Sequence, residues 1–142
     1  MTPDALARLH AAAFSTERPW PAHEISSLLD SPHVTLIEHP NGFALTRLVV
    51  DEAELLTLAV DPAHQRQGIA NALMDRWLLG LHGHASTAFL EVAADNTAAR
   101  ALYLRHGFDV ISTRTAYYRR THAPDADAVI MQRRLPLGQH PE

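Results

Sequence analysis

The chain has 142 residues, 46% of them hydrophobic and 20% charged, with a formal net charge of −4 and no cysteine. That composition suits one globular domain over residues 1–142 and gives no global electrostatic case for nucleic-acid binding; it also excludes disulfides, a thiol nucleophile and a cysteine metal site. No apolar run approaches the ~20 residues that span a bilayer, and the N-terminus lacks a signal-peptide pattern, so a cytoplasmic protein without membrane contact is expected. All 12 basic residues are arginine. The chain therefore cannot modify lysines of its own, and its acidic balance favours a basic partner.

Residues 3–14 predict a helix with Leu6, Leu9, Ala13 and Phe14 apolar, and the proline-bearing stretch 15–21 breaks it. A short second helix is expected over 23–29, stopped before Pro32. Strand-like runs follow over 34–38, 43–50 and 54–60. Asn41-Gly42 is a hairpin dipeptide between the first two, and Asp51-Glu52 can turn the next. A basic loop, Gln65-Arg66-Gln67-Gly68, then opens into a helix over 68–81. Its Ala70, Leu73, Met74, Trp77, Leu78 and Leu81 form an apolar stripe. A short strand is expected over 88–92, then a helix over 96–106, capped by Asp95 or Asn96 and ended by Gly107. Strands over 108–118 and 128–134 close the pattern, and 137–142 should fray. Hairpins first, then strands alternating with two helices, predict an α/β (α+β) sheet of mixed direction with helices on its faces. The strands ending at Val60 and Val92 form a plausible parallel pair joined through the long helix.

The loop before the long helix carries the chemistry. The first N–H groups of a helix lack intrahelical partners and carry partial positive charge, so an anion such as a pyrophosphate satisfies both conditions. Gly68 lets backbone N–H groups approach phosphate oxygens closely or adopt φ > 0, and Ala70 keeps the next approach small. Arg66 adds a planar, permanently charged fork. The segment lacks the Gly-Lys-Ser/Thr of a Walker loop and the three glycines of a dinucleotide fingerprint. Taken alone, it fits an ordinary turn glycine as well as a phosphate cradle.

A second cluster decides between the two. The run Phe89-Leu-Glu91-Val-Ala-Ala-Asp-Asn96 to Leu102-Tyr103 and Gly107-Phe108, paired with Gln65-Arg-Gln-Gly68-Ile-Ala70, resembles the GCN5-related N-acetyltransferase superfamily, which binds acetyl-CoA and acylates amines. The segments 51–60, Leu90-Glu91-Val92, Arg114-Thr-Ala-Tyr117-Tyr118 and 127–131 are similar to bacterial ribosomal-protein-alanine N-acetyltransferases. The resemblance covers 43–135 well and 1–42 more loosely, through Phe14 and Pro19-Trp20. It implies a mixed, mostly antiparallel sheet of six to seven strands, splayed in the middle, with helices on both faces. By the same resemblance, the chain is expected to lack the family's usual first strand, ahead of the first helix. Within the one domain, 1–32 would be a helical substrate-side segment, 33–60 hairpin strands, 61–107 the acetyl-CoA core, 108–135 C-terminal strands and 136–142 a tail.

The resemblance also implies roles. Backbone groups of Leu58, Ala59 and Val60 would pair with pantetheine. Gln65, Arg66, Gln67, Gly68, Ile69, Ala70 and Asn71 would hold the pyrophosphate, and Asn96 would contact the pantetheine arm. Glu91 would serve as base and Tyr103 as proton donor to the departing thiolate. Trp20, Tyr117 and Tyr118 would line the acceptor groove, with a protein N-terminus, plausibly the Ala terminus of a basic ribosomal protein, as acceptor. A small-molecule amine or internal lysine is the alternative acceptor, and an acyl-CoA-binding regulatory module without turnover is the non-enzymatic alternative. A monomer or weak dimer is expected.

Residue chemistry bears on these readings separately. An α-amine has a pKa of ~7.7–8.0 and lysine ~10.4, so lysine costs roughly 3.5 kcal/mol more to deprotonate at neutral pH. A lone carboxylate therefore suits an N-terminus better. Glu91, between Leu90 and Val92, points to the opposite sheet face from both, which fits either a base or an exposed strand-end carboxylate. Tyr103 fits either a donor or core packing. His82-Gly-His84 is the closest histidine pair, but with no third ligand it predicts no metal. Tyr117-Tyr118 with Arg119-Arg120 line a peptide groove or end a strand more readily than they stack on RNA. Asp51, Glu52 and Glu54 face a basic peptide or form a solvated hairpin.

Overall fold

The computed structural model describes residues 1–120 and 123–136; the expected frayed tail lies outside them. Helix α1 spans Pro3–Ala13, capped by Thr2 through its hydroxyl to the Ala5 N–H, and α2 spans Ala22–Leu29. Strands β1 (Val34–His39), β2 (Gly42–Val49) and β3 (Glu52–Val60) follow as a meander. A 3-10 turn at Pro62–His64 leads to α3 (Ile69–Gly80), then β4 (Thr87–Ala93), α4 (Thr97–Arg105), β5 (Asp109–Tyr118) and β6 (Ala126–Arg134). The six strands lie in the order β1-β2-β3-β4-β6-β5, and only β3 and β4 run parallel. This is the expected mixed, mostly antiparallel sheet. No helix among the described residues is long and apolar enough to cross a membrane.

Both early turns sit one residue earlier than the sequence suggested. His39 pairs with Gly42 and Val49 with Glu52, so the turn residues are Pro40-Asn41 and Val50-Asp51. Gly42 is already strand. It is glycine because a Cβ there would lie 2.9 Å from the Ala59 carbonyl oxygen and 3.1 Å from Ile69 Cγ2. Val50 takes φ 58, an unusual value for a β-branched residue, at a position 90% exposed.

The helices divide between the faces. Leu6 and Ile25 of α1 and α2 pack with Phe43, Leu45 and Ala59 on one face. Leu73, Met74 and Trp77 of α3 and Leu102 and Tyr103 of α4 pack with Ala44, Leu55, Leu90 and Met131 on the other. Each fully buried Leu, Ile, Phe or Met is worth about 1.5–3 kcal/mol, so both layers are held on by their own apolar stripes.

In the middle the sheet opens. Leu45 pairs with Thr57 but Thr46 with Leu55, leaving Leu56 as one extra residue in β3. Such a bulge bends its strand and increases the local twist. Pairing of β3 with β4 runs from Glu52↔Thr87 to Leu55↔Leu90 and stops there. Beyond that point β3 and β4 part, and the ligand-facing end of the sheet is a gap between two parallel strands.

Candidate active site

The gap belongs to a cleft of about 1040 Å³, at the upper end of the roughly 300–1,000 Å³ typical of small-molecule sites. Of the residues expected at the site, Trp20, Leu58, Val60, Gln65, Arg66, Gly68, Ile69, Ala70, Asn71, Glu91, Asn96, Tyr103, Tyr117 and Tyr118 all line it. Ala59 and Gln67 do not. Ala59 is fully buried on the opposite sheet face against the α1 and α2 layer, and Gln67 is an exposed loop residue.

At one end the loop presents an anion cradle. Arg66 and Gly68 take left-handed φ values of 64 and 77. Gly68 is the N-cap of α3, and no side chain caps that end. The first backbone bond of the helix is from the Ala72 N–H to the Gly68 carbonyl. The N–H groups of Ile69, Ala70 and Asn71 are therefore left for a ligand. Arg105 and His64, which the sequence did not single out, also line this cleft.

On the α3 and α4 face, Asn96 rather than Asp95 caps α4; its Oδ1 accepts from the Ala99 N–H at 3.2 Å. The amide hydrogens of Asn96 remain available as donors. Tyr103 is 7% exposed, edge-on to Phe108 at 6.3 Å, and burial pushes its phenol up to about 12. Core packing and cleft lining are thus both true of it. The upward shift keeps the hydroxyl protonated, and it suits hydrogen-bond donation to a thiolate better than full proton transfer to a group of ordinary pKa ~8.5.

Glu91 sits on the other face, just past the point where the strands part. Its neighbours Leu90 and Val92 are buried at 1% and 6%, whereas its side chain is 29% exposed. Arg114 Nη1 lies 3.8 Å from Glu91 Oε1, with the guanidinium 5.3 Å from the Tyr117 ring. Burial, then the negative charges of Glu91 and Glu17, push the Tyr118 phenol up. Arg114 and Tyr118, both on β5, thus set the electrostatic surroundings of this carboxylate. Arg114 was visible in the sequence only as part of the Arg-x-x-Tyr-Tyr run.

The far wall comes from α1 and the segment after it. His10, 3% exposed, stacks on Trp20 at 4.9 Å and lies tilted against Phe14 at 4.6 Å, and its Nδ1 is sealed without a partner. Burial, then Arg18, lowers its pKa to about 4, so the ring is neutral. Three of the wall's side chains are therefore flat and uncharged. The sequence offered no signal for His10 beyond its place on the helix. Among the described residues no group of three His, Asp or Glu side chains is placed to hold a metal, and His82 and His84 stay apart from this cleft.

Known proteins bear on this arrangement. Residues 4–108 match the acetyltransferase (GNAT) family. The chain is 36% identical to the [ribosomal protein bS18]-alanine N-acetyltransferase of Escherichia coli (strain K12), over 96% of this chain and 94% of that protein. It is also 36% identical to the N-alpha-acetyltransferase RimI of Mycobacterium tuberculosis, over 89% and 83%. The crystal structure of the ribosomal-protein-S18-alanine N-acetyltransferase from Escherichia coli superposes with a TM-score of 0.86 at 32% identity, covering 96% of this chain and 90% of that one. By sequence and by fold alike, this chain is an acetyltransferase belonging to the GNAT family.

Proposed function

We propose that the chain transfers an acetyl group from acetyl-CoA to the α-amine of a protein N-terminus. The acceptor in this reading is the Ala terminus of a ribosomal protein of the S18 kind. The observation that carries the reading is the parting of β3 and β4 beyond Leu55 and Leu90. The phosphate cradle and Tyr103 belong to the helical layer on one side of that gap, and Glu91 opens to the other. A thioester laid through the gap would meet an amine arriving from the Glu91 side.

In this reading the cradle at Ile69, Ala70 and Asn71, with Arg66, takes the pyrophosphate, and the unpaired edge of β3 takes the pantetheine arm. Glu91, directly or through one water, accepts a proton from the ammonium. The freed amine nitrogen forms a bond to the thioester carbonyl carbon, the carbon–sulfur bond breaks, and the nitrogen's surplus proton passes to the departing sulfur, so that a neutral amide and the CoA thiol result. Tyr103 donates its hydrogen bond to the sulfur as negative charge develops there. The α-amine is favoured over lysine because a single carboxylate has less to do at an amine of pKa ~7.7–8.0 than at ~10.4. The Ala terminus follows from what the Escherichia coli relative is named for, whereas the Mycobacterium tuberculosis relative is named for the α-amine alone.

The test is incubation with labelled acetyl-CoA and a basic peptide beginning with Ala, with mass spectrometry locating the added acetyl. Label on the α-nitrogen is the expected result. Label only on lysine side chains would move the acceptor to the internal-lysine alternative, and no label above background would sink the reading.

A further inference from the structure

Arg120 follows Tyr118 by two residues, in the connection between β5 and β6, yet its side chain is only 5% exposed. Its guanidinium holds two carboxylates from distant parts of the chain. Nε and Nη2 donate to Glu17 at 3.3 and 2.7 Å, across 103 residues of sequence. Nη1 and Nη2 donate to the two oxygens of Asp95, the second at 3.0 Å. Both edges of the planar fork are in use, a geometry that lysine cannot reproduce.

The position of the three groups gives the arrangement its meaning. Glu17 lies in the 14–21 segment, which also carries Phe14 and Trp20. Asp95 directly precedes Asn96, the cap of α4. Arg120 follows Tyr118, whose phenol feels the Glu91 charge and which lines the cleft with it. The other polar bonds of residues 14–21, among those described, are local: Thr16 to Glu17, Arg18 to Pro19 and Glu24, and backbone bonds at Phe14 and Pro21. The Glu17–Arg120 pair is their one polar link to the opposite side of the cleft.

We propose that Arg120 is a positioning residue for the acceptor: by clamping Glu17 to Asp95 it sets the His10–Phe14–Trp20 wall at a fixed distance from Glu91 and Tyr118, and so sets the width of the groove. It does not touch the reacting atoms. Its single positive charge offsets one of the two negative charges, and its N–H groups occupy both carboxylates, so neither stands without a partner beside the groove. The inference rests on the acetyl-transfer reading above and refines its acceptor side.

Arg120→Ala and Glu17→Ala both break the Glu17–Arg120 link but change the groove's charge in opposite directions. Each should raise KM for the Ala-starting peptide about five- to tenfold. KM for acetyl-CoA should stay within about twofold, and Arg120→Lys should recover part of the loss. If the two variants move peptide KM in opposite directions, long-range charge rather than the clamp is at work and the proposal fails. It fails equally if acetyl-CoA KM rises as much as peptide KM, or if neither changes. Hydrogen exchange of the full chain without any acceptor supplies an independent reading. Amides of 15–20 should exchange about tenfold faster in Arg120→Ala than in the parent, and unchanged exchange would overturn the clamp. If the parent chain acetylates no peptide, the function reading fails and the exchange result alone decides the clamp.

Discussion

Gly68→Ala separates a phosphate cradle from an ordinary turn. Gly68 has φ 77, and a Cβ built there meets nothing within 4 Å. The substitution therefore adds no clash, and its folding cost is the left-handed backbone of an L-residue, about 1–2 kcal/mol. The smaller entropy of the unfolded Ala chain returns about 0.4–1 kcal/mol of that. The net loss of about 1 kcal/mol should lower Tm by roughly 3–4 °C in a chain of this length. The open space beyond the Cβ is where a phosphate must come to meet the N–H groups of Ile69, Ala70 and Asn71. A methyl group there forfeits about one charge-assisted hydrogen bond, roughly 1.5–3 kcal/mol, or about 10- to 100-fold in affinity. Calorimetric titration of acetyl-CoA and a thermal melt on the same preparation read both numbers. A Tm loss of this size with acetyl-CoA affinity unchanged would make Gly68 a turn residue and refute the cradle.

Tyr103→Phe should cut turnover by about 10²-fold while acetyl-CoA affinity stays within about twofold; equal turnover would remove Tyr103 from the chemistry. Glu91→Gln keeps the shape and loses the base, and should lower kcat by about 10²-fold or more with a much smaller change in peptide KM. His10 carries a pH signature. Its folded pKa of about 4 lies below the unfolded 6.5, so its neutral ring contributes stability that is whole above about pH 6.5 and is lost as pH falls towards 4. The slope from this one group is at most about 1.4 kcal/mol per pH unit. His10→Phe, which keeps a flat ring between Phe14 and Trp20, should flatten the dependence of urea-unfolding stability on pH between 6.5 and 4. An identical slope in parent and variant would refute the assignment. Val50→Asn should raise stability by about 1 kcal/mol, seen as a higher urea midpoint, because asparagine tolerates the left-handed φ of an exposed turn better than valine does.

Elements with a single dominant signal were legible in the sequence. The stripe Leu73, Met74, Trp77 placed α3, and the break at Pro19–Pro21 separated α1 from α2. The mixed sheet followed from hairpins preceding a helix-linked parallel pair. The turns slipped by one residue because Asn41-Gly42 is a turn-forming dipeptide by composition, while Gly42 is there for the Ala59 carbonyl and Ile69. Most of the site residues proved to share one cleft, since the motifs bracket the same strand ends. His10, Glu17, Asp95 and Arg120 were not legible. Arg120 meets Asp95 and Glu17 across 25 and 103 residues of sequence, and no local periodicity records contacts of that range; His10 stands only four residues before Phe14, but a histidine on a helix gives no local sign of being buried.

The opening in the sheet shows why one strand could be located and yet not understood from sequence. In β3 the run Leu55-Leu56-Thr57-Leu58-Ala59-Val60 is apolar on both faces, because both faces are covered: Leu55 and Leu58 by the α3 layer, Leu56 and Ala59 by the α1 layer. A strand with alternating polarity would betray a bulge as a break in the alternation. A strand buried on both sides has no alternation to break, so the extra residue at Leu56 is silent. Yet that residue and the last β3–β4 pair, Leu55↔Leu90, coincide. The added twist of the bulge carries β3 away from β4 at the point where a ligand's arm would replace the missing partner. Restoring regular register by deleting Leu56 would extend the β3–β4 ladder towards Val60 and Ala93. Leu55 would then run straight into Thr57, with Leu58 and Val60 still on the α3 face and Ala59 on the α1 face, so the extra residue serves the gap and neither packed layer depends on it.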